Sequence, residues 1–147
     1  MDILIKRVNG NNLDEIEIIE KDLEHRILSS TILNATLNKE NYYFLLATLN
    51  NIPVGYIAAE HLVDHIDILS IAVIKDYRKK HIATLLLNEL LKLVSSLDIQ
   101  SIFLEVRCNN ISAIKFYEKN EFKKIDCRKN YYTDTNEDAY IYIKTIN

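Results

Sequence analysis

Glycine and proline are scarce in this chain, which has two glycines and one proline among its 147 residues. These two residue types mark most turns, so their scarcity removes the usual signals of where strands and helices end. Asparagine can also enter the left-handed backbone region and hydrogen-bond its own backbone. We therefore expect the turns at residues 9–12, at Asn50-Asn51 and at Asn109-Asn110.

Cysteine is rare as well, and no long apolar run occurs. Cys108 and Cys127 are too few for a disulfide framework, and the opening MDILIKRV lacks the longer apolar core of a secretory signal. Charges or amides break every hydrophobic stretch before it reaches the roughly 18 residues needed to cross a bilayer. We expect a soluble protein in a reducing, cytoplasmic setting, with no membrane partner.

The chain has no large surplus of charge of either sign, since its formal net charge is -3. Such a balance creates no field that attracts nucleic acid, so we expect no nucleic-acid partner, and an anion site must be local. His25, His61 and His65 show no metal-ligand spacing with the cysteines, which predicts the absence of a metal. The hydrophobic fraction of 48% is enough for one substantial core, and we expect a single domain over residues 1–147.

Hydrophobic periodicity predicts a series of strands and helices. Alternating apolar positions predict strands, and apolar spacings of three and four predict helices. The expected strands are residues 3–8, 43–48, 54–60, 66–74, 101–107, 122–128 and 139–145. The expected helices run from Asn12 to about residue 23, from Ser29 or Ser30 to about 37, from 82 to 97 and from 111 to 119.

The middle of the chain shows how these elements join. The succession of strand 66–74, helix 82–97 and strand 101–107 predicts a crossover between two strands of one mixed sheet. Ligands in such sheets bind where neighbouring strands part. A site is therefore expected between residues 70–74 and 103–107.

Three segments have a distinctive order and spacing. They are LSIAVIKDYRKKHIATLLLNELL at 69–91, LEVRCNNISAIKFYEKNEF at 104–122 and KNYYTDTNEDAYIYIK at 129–144. Together they resemble the GNAT superfamily of acyl-CoA-dependent N-acetyltransferases, and within it the bacterial ribosomal-protein-alanine N-acetyltransferases, over essentially the whole length. The resemblance implies an α/β (α+β) fold, in which about four helices flank a mixed, mostly antiparallel sheet of about seven strands.

The resemblance also implies acetyl-CoA as co-substrate, with its pyrophosphate held by backbone amides of the loop at residues 78–83. Unpaired amides at a helix N-terminus form an anion site. The loop residues expected to bind the coenzyme are Arg78, Lys79, His81, Ile82 and Ala83. His81 replaces a family glycine, and its side chain either points into solvent or joins the site; Lys79 is likewise a solvated side chain or a phosphate ligand.

Three further positions correspond to coenzyme contacts of the family. The backbone at Ile71 and Val73 is expected to bind the acetyl carbonyl and the pantetheine arm. Asn110 matches an asparagine that contacts this arm, and it is equally suited to cap the helix that begins near Ile111. Both roles are compatible.

Acetyl transfer to an amine needs a base and an acid, because an ammonium group cannot attack a thioester. By resemblance, Glu105 is the base, acting through water, and Tyr117 is the acid that protonates the departing thiolate. Without the resemblance, Glu105 is a surface charge or a partner of Arg107, and Tyr117 is a packing aromatic. An α-amino group, with a pKa of about 8, loses its proton more easily than lysine at about 10.4, which fits Nα-acetylation.

The acceptor side is marked by Tyr131 and Tyr132, which match an NYY segment bordering the peptide groove of related N-terminal acetyltransferases. Alternatively, these tyrosines pack on their own hairpin. Leu28 corresponds to a family tryptophan on the opposite wall of the groove. The expected acceptor is a protein N-terminal α-amine, such as that of a ribosomal protein; a lysine or small-molecule amine is the alternative.

A second departure from the family lies at Glu121, where a glycine usually ends the helix. Glycine enters the left-handed conformation at little cost, so we expect Asn120 to take that role here. Because His81 and Glu121 both replace glycines, a non-catalytic module with this fold remains a rival hypothesis.

Overall fold

The computed structural model describes residues 2–8, 13–23 and 39–146. These residues form seven strands, three α-helices and a short 3-10 turn at Lys75–Tyr77. In chain order the elements are β1 (Ile3–Arg7), α1 (Leu13–Asp22), β2 (Tyr42–Leu49), β3 (Ile52–Leu62), β4 (His65–Val73), α2 (Ile82–Val94), β5 (Ser101–Arg107), α3 (Ile111–Lys119), β6 (Lys123–Tyr132) and β7 (Glu137–Thr145).

The strands form one sheet in the order β1-β2-β3-β4-β5-β7-β6. β4 and β5 run parallel, as the crossover predicted, and the pairs β1/β2, β2/β3, β5/β7 and β6/β7 are antiparallel. The mixed, mostly antiparallel sheet of seven strands is therefore confirmed. The described residues contain three α-helices rather than four, and the helix expected after Ser29 or Ser30 lies outside them.

The hairpin between β2 and β3 is tighter than expected. Leu49 pairs with Ile52, so Asn50 and Asn51 form the whole connection, with φ angles of 50° and 66°. Two left-handed residues match the twist of the flanking strands. Pro53, expected in the turn, lies in β3 beside an irregularity in the register, a position where the missing N–H is tolerated.

Two other boundaries differ from the expectation. α2 ends at Val94 rather than at residue 97, because the hydroxyl and amide of Ser95 both donate to the carbonyl of Lys92. β6 continues to Tyr132 rather than ending at residue 128. The NYY segment therefore lies on a strand.

The chain divides into two compact units, one formed by Met1–His61 and Leu69–Leu97 and the other by Leu62–Ile68 and Asp98–Asn147. In the first unit the buried residues Val8, Ile16, Ile19, Phe44, Leu46, Tyr56, Ala58 and Ala72 form a core. In the second, the buried hydrophobic side chains include Ile102, Leu104, Val106, Tyr117, Phe122 and Tyr142. The single domain over residues 1–147 stays a prediction.

Gly55 on β3 is required for close packing within the first unit. A Cβ atom there would lie 2.9 Å from the carbonyl oxygen of Ala72 and 3.3 Å from Cγ2 of Ile82. The first contact is with backbone, which cannot move cheaply. The absence of a side chain thus lets β3 lie against β4 and against the first residue of α2.

Candidate active site

The expected phosphate loop lies in the first unit, between the 3-10 turn and α2. His81 is the N-cap residue of α2, and its side chain makes no capping hydrogen bond. The first turn of α2, which includes Ile82 and Ala83, carries no acidic residue. Its amides therefore face neither a capping side chain nor a repelling carboxylate, which is what an anion site at a helix N-terminus needs.

Two residues of this loop adopt the left-handed backbone that usually requires glycine. Lys79 and His81 both have left-handed backbones, with φ angles of 62° and 63°. Left-handed geometry is the one that glycine adopts without steric cost. Both residues are exposed, so the side chain of His81 lies at the surface while its backbone has the geometry that favours glycine. Coenzyme contacts by these two side chains stay predictions.

Arg78 bonds back to β4. Its Nε donates to the carbonyl oxygen of Val73 at 3.0 Å, across five positions of the chain. Ile71 and Val73 are half-buried near the end of β4, whose register with β5 covers only His65–Ile68. The part of β4 that carries Ile71 and Val73 therefore extends beyond this pairing. The coenzyme contact at these two residues stays a prediction.

Tyr117 lies on α3 in the second unit, and its side chain is only 6% exposed. Its ring packs against Phe116, Phe122 and Tyr142, with centroid distances of 5.6, 5.7 and 6.5 Å. Burial raises the pKa of Tyr117, and the nearby Tyr132 raises it further.

The end of α3 fixes this tyrosine through a Schellman motif. The amide of Phe122 donates to the carbonyl of Tyr117 at 3.0 Å, and that of Glu121 donates to the carbonyl of Glu118 at 3.1 Å. Glu121 has a φ of 70°, whereas Asn120 has a φ of -95°. The expectation that Asn120 takes the left-handed role was therefore wrong, because the position after the cap, not the cap, must turn.

Glu105 lies exposed on β5, and its ionic partner is a residue of β6. One guanidinium nitrogen of Arg128 lies 3.7 Å from Glu105 Oε1. The Glu105 carboxylate beside the Tyr131 hydroxyl is the main reason that the pKa of Tyr131 is raised. Arg128, the ionic partner of Glu105, also lies over the Tyr131 ring, 5.4 Å from its centroid. Arg107 does not fill the role of partner, since it bonds to Asp134 and Glu137 instead.

Tyr132 is within electrostatic reach of both expected catalytic residues. Burial, followed by the charge of Glu105, raises the pKa of Tyr132 to about 12. Tyr132 in turn contributes to the raised pKa of Tyr117. The second unit thus brings together Glu105, Tyr117, Tyr131 and Tyr132.

A model of the acetyltransferase (GNAT) family matches residues 11–122. The chain belongs to the GNAT acetyltransferase family. The expected family is therefore confirmed, and with it the expected class of enzyme.

Three similar proteins fall within this family or share its fold. An N-alpha-acetyltransferase of Saccharolobus solfataricus is 40% identical over 111 residues, which cover 67% of this chain and 66% of that protein. The crystal structure of the ribosomal-protein-S18-alanine N-acetyltransferase from Escherichia coli is 27% identical, with a TM-score of 0.90 and coverage of 99% and 95%. Arabidopsis thaliana Naa50 in complex with the bisubstrate analogue CoA-Ac-MVNAL is 29% identical, with a TM-score of 0.85 and coverage of 99% and 100%. The chain matches slightly less than two thirds of the length of the S. solfataricus protein.

The sequence named two further site residues, Asn110 and Leu28, and the structure describes only Asn110. Asn110 caps α3, since its Oδ1 accepts from the amide of Ala113 at 3.3 Å and from the hydroxyl of Ser112 at 3.5 Å. The capping role is confirmed, and the coenzyme contact stays a prediction. Leu28, expected on the wall of the acceptor groove, lies outside the described residues.

Sequence reasoning offered Arg107 only as a partner of Glu105 and did not name Arg128. Arg128 meets Glu105, and Arg107 meets the turn between β6 and β7. The partners lie 23 and 27 positions apart, and no local pattern signals such contacts. Strand register brings the two arginines to the same point of β7, because Arg107 and Arg128 both pair with Ala139.

Within the described ranges, no group of three or more His, Cys, Asp or Glu side chains is arranged to hold a metal ion. None of the helices in the same ranges combines the length and apolar character needed to span a membrane.

Proposed function

We propose that this GNAT protein transfers the acetyl group of acetyl-CoA to the N-terminal α-amine of a protein or peptide. The observation that carries the proposal is a series of contacts in one unit, in which Arg128 lies 3.7 Å from Glu105 and 5.4 Å from the centroid of the Tyr131 ring, and the Tyr131 ring packs on Tyr132 with a centroid distance of 5.2 Å. Tyr132 in turn raises the pKa of Tyr117 in the same unit. This grouping provides a carboxylate for the amine proton, a phenol for the leaving sulfur and two phenols for the peptide.

The reaction divides the work between the base and the acid. Glu105, through a water molecule, accepts a proton from the α-ammonium group, and the free nitrogen attacks the thioester carbonyl. The carbon–sulfur bond then breaks, and Tyr117 donates its proton to the departing sulfur. The attacking nitrogen loses its second proton to water as the amide forms, and Tyr117 regains a proton from water. Because burial raises its pKa, Tyr117 carries that proton throughout the physiological pH range.

The similar proteins support an α-amine acceptor. The S. solfataricus relative is named an N-alpha-acetyltransferase, and the E. coli structure is a ribosomal-protein-S18-alanine N-acetyltransferase. Naa50 was captured with an analogue that joins CoA to the peptide MVNAL. The rival hypothesis of a non-catalytic module was motivated by His81 and Glu121, and both residues have the left-handed backbone that glycine adopts without steric cost.

The acceptor is tested with acetyl-CoA and a panel of peptides that differ in their first residue, with some bearing an internal lysine. Mass spectrometry of the fragments locates the acetyl group, which we expect on the α-amine. Modification confined to lysine side chains or to small amines would instead refute the α-amine proposal. A lack of coenzyme binding in calorimetry would refute the enzymatic proposal altogether.

The role of Tyr117 is tested with Tyr117→Phe, which removes the donor and keeps the ring packing. Turnover should fall by about 10²- to 10⁴-fold, the usual contribution of a general acid, with coenzyme affinity unchanged by calorimetry. Tyr140→Phe is the matched control, because the Tyr140 ring lies on β7 beneath Lys124 and has no proposed catalytic role. Full turnover in Tyr117→Phe would show that another group supplies the proton.

A further inference from the structure

Arg107 makes the densest set of polar contacts in the described part of the second unit. Its guanidinium donates to both carboxylate oxygens of Asp134, at 3.0 and 3.1 Å, to the hydroxyl of Thr135 at 3.2 Å and to Glu137 at 3.3 Å. All three partners belong to the connection between β6 and β7 or to its edge. A bidentate pair of this kind fixes direction as well as distance.

The same guanidinium also lies over the ring of Tyr132. Its central carbon is 4.0 Å from the ring centroid, a cation–π contact. Tyr132 pairs with Glu137 in the β6/β7 register, so the ring and the turn meet Arg107 at adjacent points. With a side chain only 20% exposed, Arg107 is held between them.

Arg107 lies two positions after Glu105 on β5, on the same face of the strand. Within the described residues, Arg107 makes no contact with Glu105. The ionic partner of Glu105 is Arg128. The contacts of Arg107 lead instead to Tyr132 and to the turn that follows it.

We propose that Arg107 is the positioning residue for the acceptor peptide. By binding Asp134 with both arms and covering the ring of Tyr132, it holds the Tyr132 phenol where it hydrogen-bonds the first peptide unit of the acceptor. The inference rests on the proposed function, because it takes Tyr132 to be an acceptor ligand. A fixed ring costs less conformational entropy when the peptide binds than a mobile one.

The test compares steady-state parameters for both substrates. Arg107→Lys keeps the positive charge but loses the bidentate fork, which a lysine cannot reproduce. We expect the KM for the acceptor peptide to rise about tenfold, as for a misplaced substrate-positioning group. The KM for acetyl-CoA should stay within about twofold of the wild-type value, because this change removes only acceptor binding.

Asp134→Asn provides a second variant that removes the other half of the pair from an exposed position. It should raise the acceptor KM in the same way, and the double variant should add little, as expected of partners in one interaction. Lys129→Gln is the matched control. It breaks the Lys129–Asp138 pair at 3.2 Å on the same hairpin, away from Tyr132, and should leave both KM values unchanged.

The outcomes separate the two proposals. A wild-type protein that acetylates no α-amine overturns the proposed function, and this inference with it. An active wild type whose two variants leave the acceptor KM unchanged, or raise both KM values equally, overturns the inference alone. Thermal melts accompany each assay, and if Arg107→Lys does not fold, Asp134→Asn decides the result.

Discussion

At the scale of single residues, the chain uses other side chains where many proteins use glycine. Eight described residues other than glycine have positive φ: four asparagines (Asn50, Asn51, Asn130 and Asn136) and Val63, Lys79, His81 and Glu121. Asn50 and Asn51 form the turn that was expected there, whereas Asn130 and Asn136 were not named from the sequence, although the turn propensity of asparagine suits them. The turn expected at residues 9–12 lies outside the described residues. The four residues that are not asparagine follow no propensity, and each holds a conformation that costs roughly 1–2 kcal/mol in an L-residue.

Replacing Glu121 by glycine should therefore stabilise the protein. Glu121→Gly removes the steric cost of the left-handed backbone, and the lost ion pair with Lys144 is exposed and contributes little. We expect a gain of about 1 kcal/mol. In a chain of this size, that gain corresponds to about 3 °C in the melting temperature, measured by differential scanning calorimetry.

A control substitution on α3 separates the effect of the left-handed backbone from the general effect of introducing glycine. Lys115→Gly places the same residue at an exposed position in the middle of α3, where it should cost about 0.5–1 kcal/mol. Equal destabilisation by both substitutions would show that the left-handed geometry of Glu121 carries no strain.

At the scale of elements, a buried polar chain joins α1 to the sheet within the first unit. The hydroxyl of Tyr56 on β3 hydrogen-bonds to Glu20 on α1, and it lies 2.9 Å from the hydroxyl of Ser70 on β4. Glu20 is only 2% exposed and Tyr56 is fully buried. A buried carboxylate requires such partners, so this chain of bonds sets where α1 packs.

Removing the central hydroxyl should therefore loosen the attachment of α1. Tyr56→Phe deprives Glu20 of a buried donor, and we expect a loss of about 1–3 kcal/mol in the free energy of unfolding. Urea denaturation measures the loss. Tyr43→Phe, on the adjacent strand β2 and half-buried, is the control and should change stability by less than about 0.5 kcal/mol. Equal effects of the two substitutions would contradict a special role for Tyr56.

Elements with strong periodicity were predictable, and those ended by specific contacts were not. The bounds of β5 and α3 match the expectation at both ends, because alternating burial and the Asn110 cap are local signals. α2 ends early because Ser95 bonds the carbonyl of Lys92. β6 extends beyond residue 128 because it pairs with β7 as far as Tyr132.

At the scale of the whole molecule, several tyrosines with raised pKa make the free energy of unfolding depend on pH in the alkaline range. Burial raises the pKa of Tyr117, and it raises that of Tyr132 and of Tyr142 to about 12 in each case. The unfolded chain loses these protons near pH 10, before the folded chain does. Above that pH the unfolded state binds fewer protons, so the free energy of unfolding must fall as pH rises.

We therefore expect stability to change little through these tyrosines below about pH 9 and to decline above about pH 10. Urea denaturation across pH 8–11 measures the decline. This range includes the reference pKa of tyrosine, which is about 10. Tyr117→Phe should show a shallower decline, since it removes one of the linked protons. An identical slope for the variant and the wild type would show that Tyr117 ionises alike in both states.

The sequence by itself determined the family and the order of the described elements, and it named the segments in which we propose that the chemistry occurs. These properties depend on periodicity and on residues close together in the chain, such as 104–122. Only the tertiary structure decided how Glu105, Tyr117 and Tyr132 group and which residue each arginine meets. Those contacts depend on register: β7 lies between β5 and β6, and it brings Arg107 and Arg128 to the same strand position from 21 residues apart.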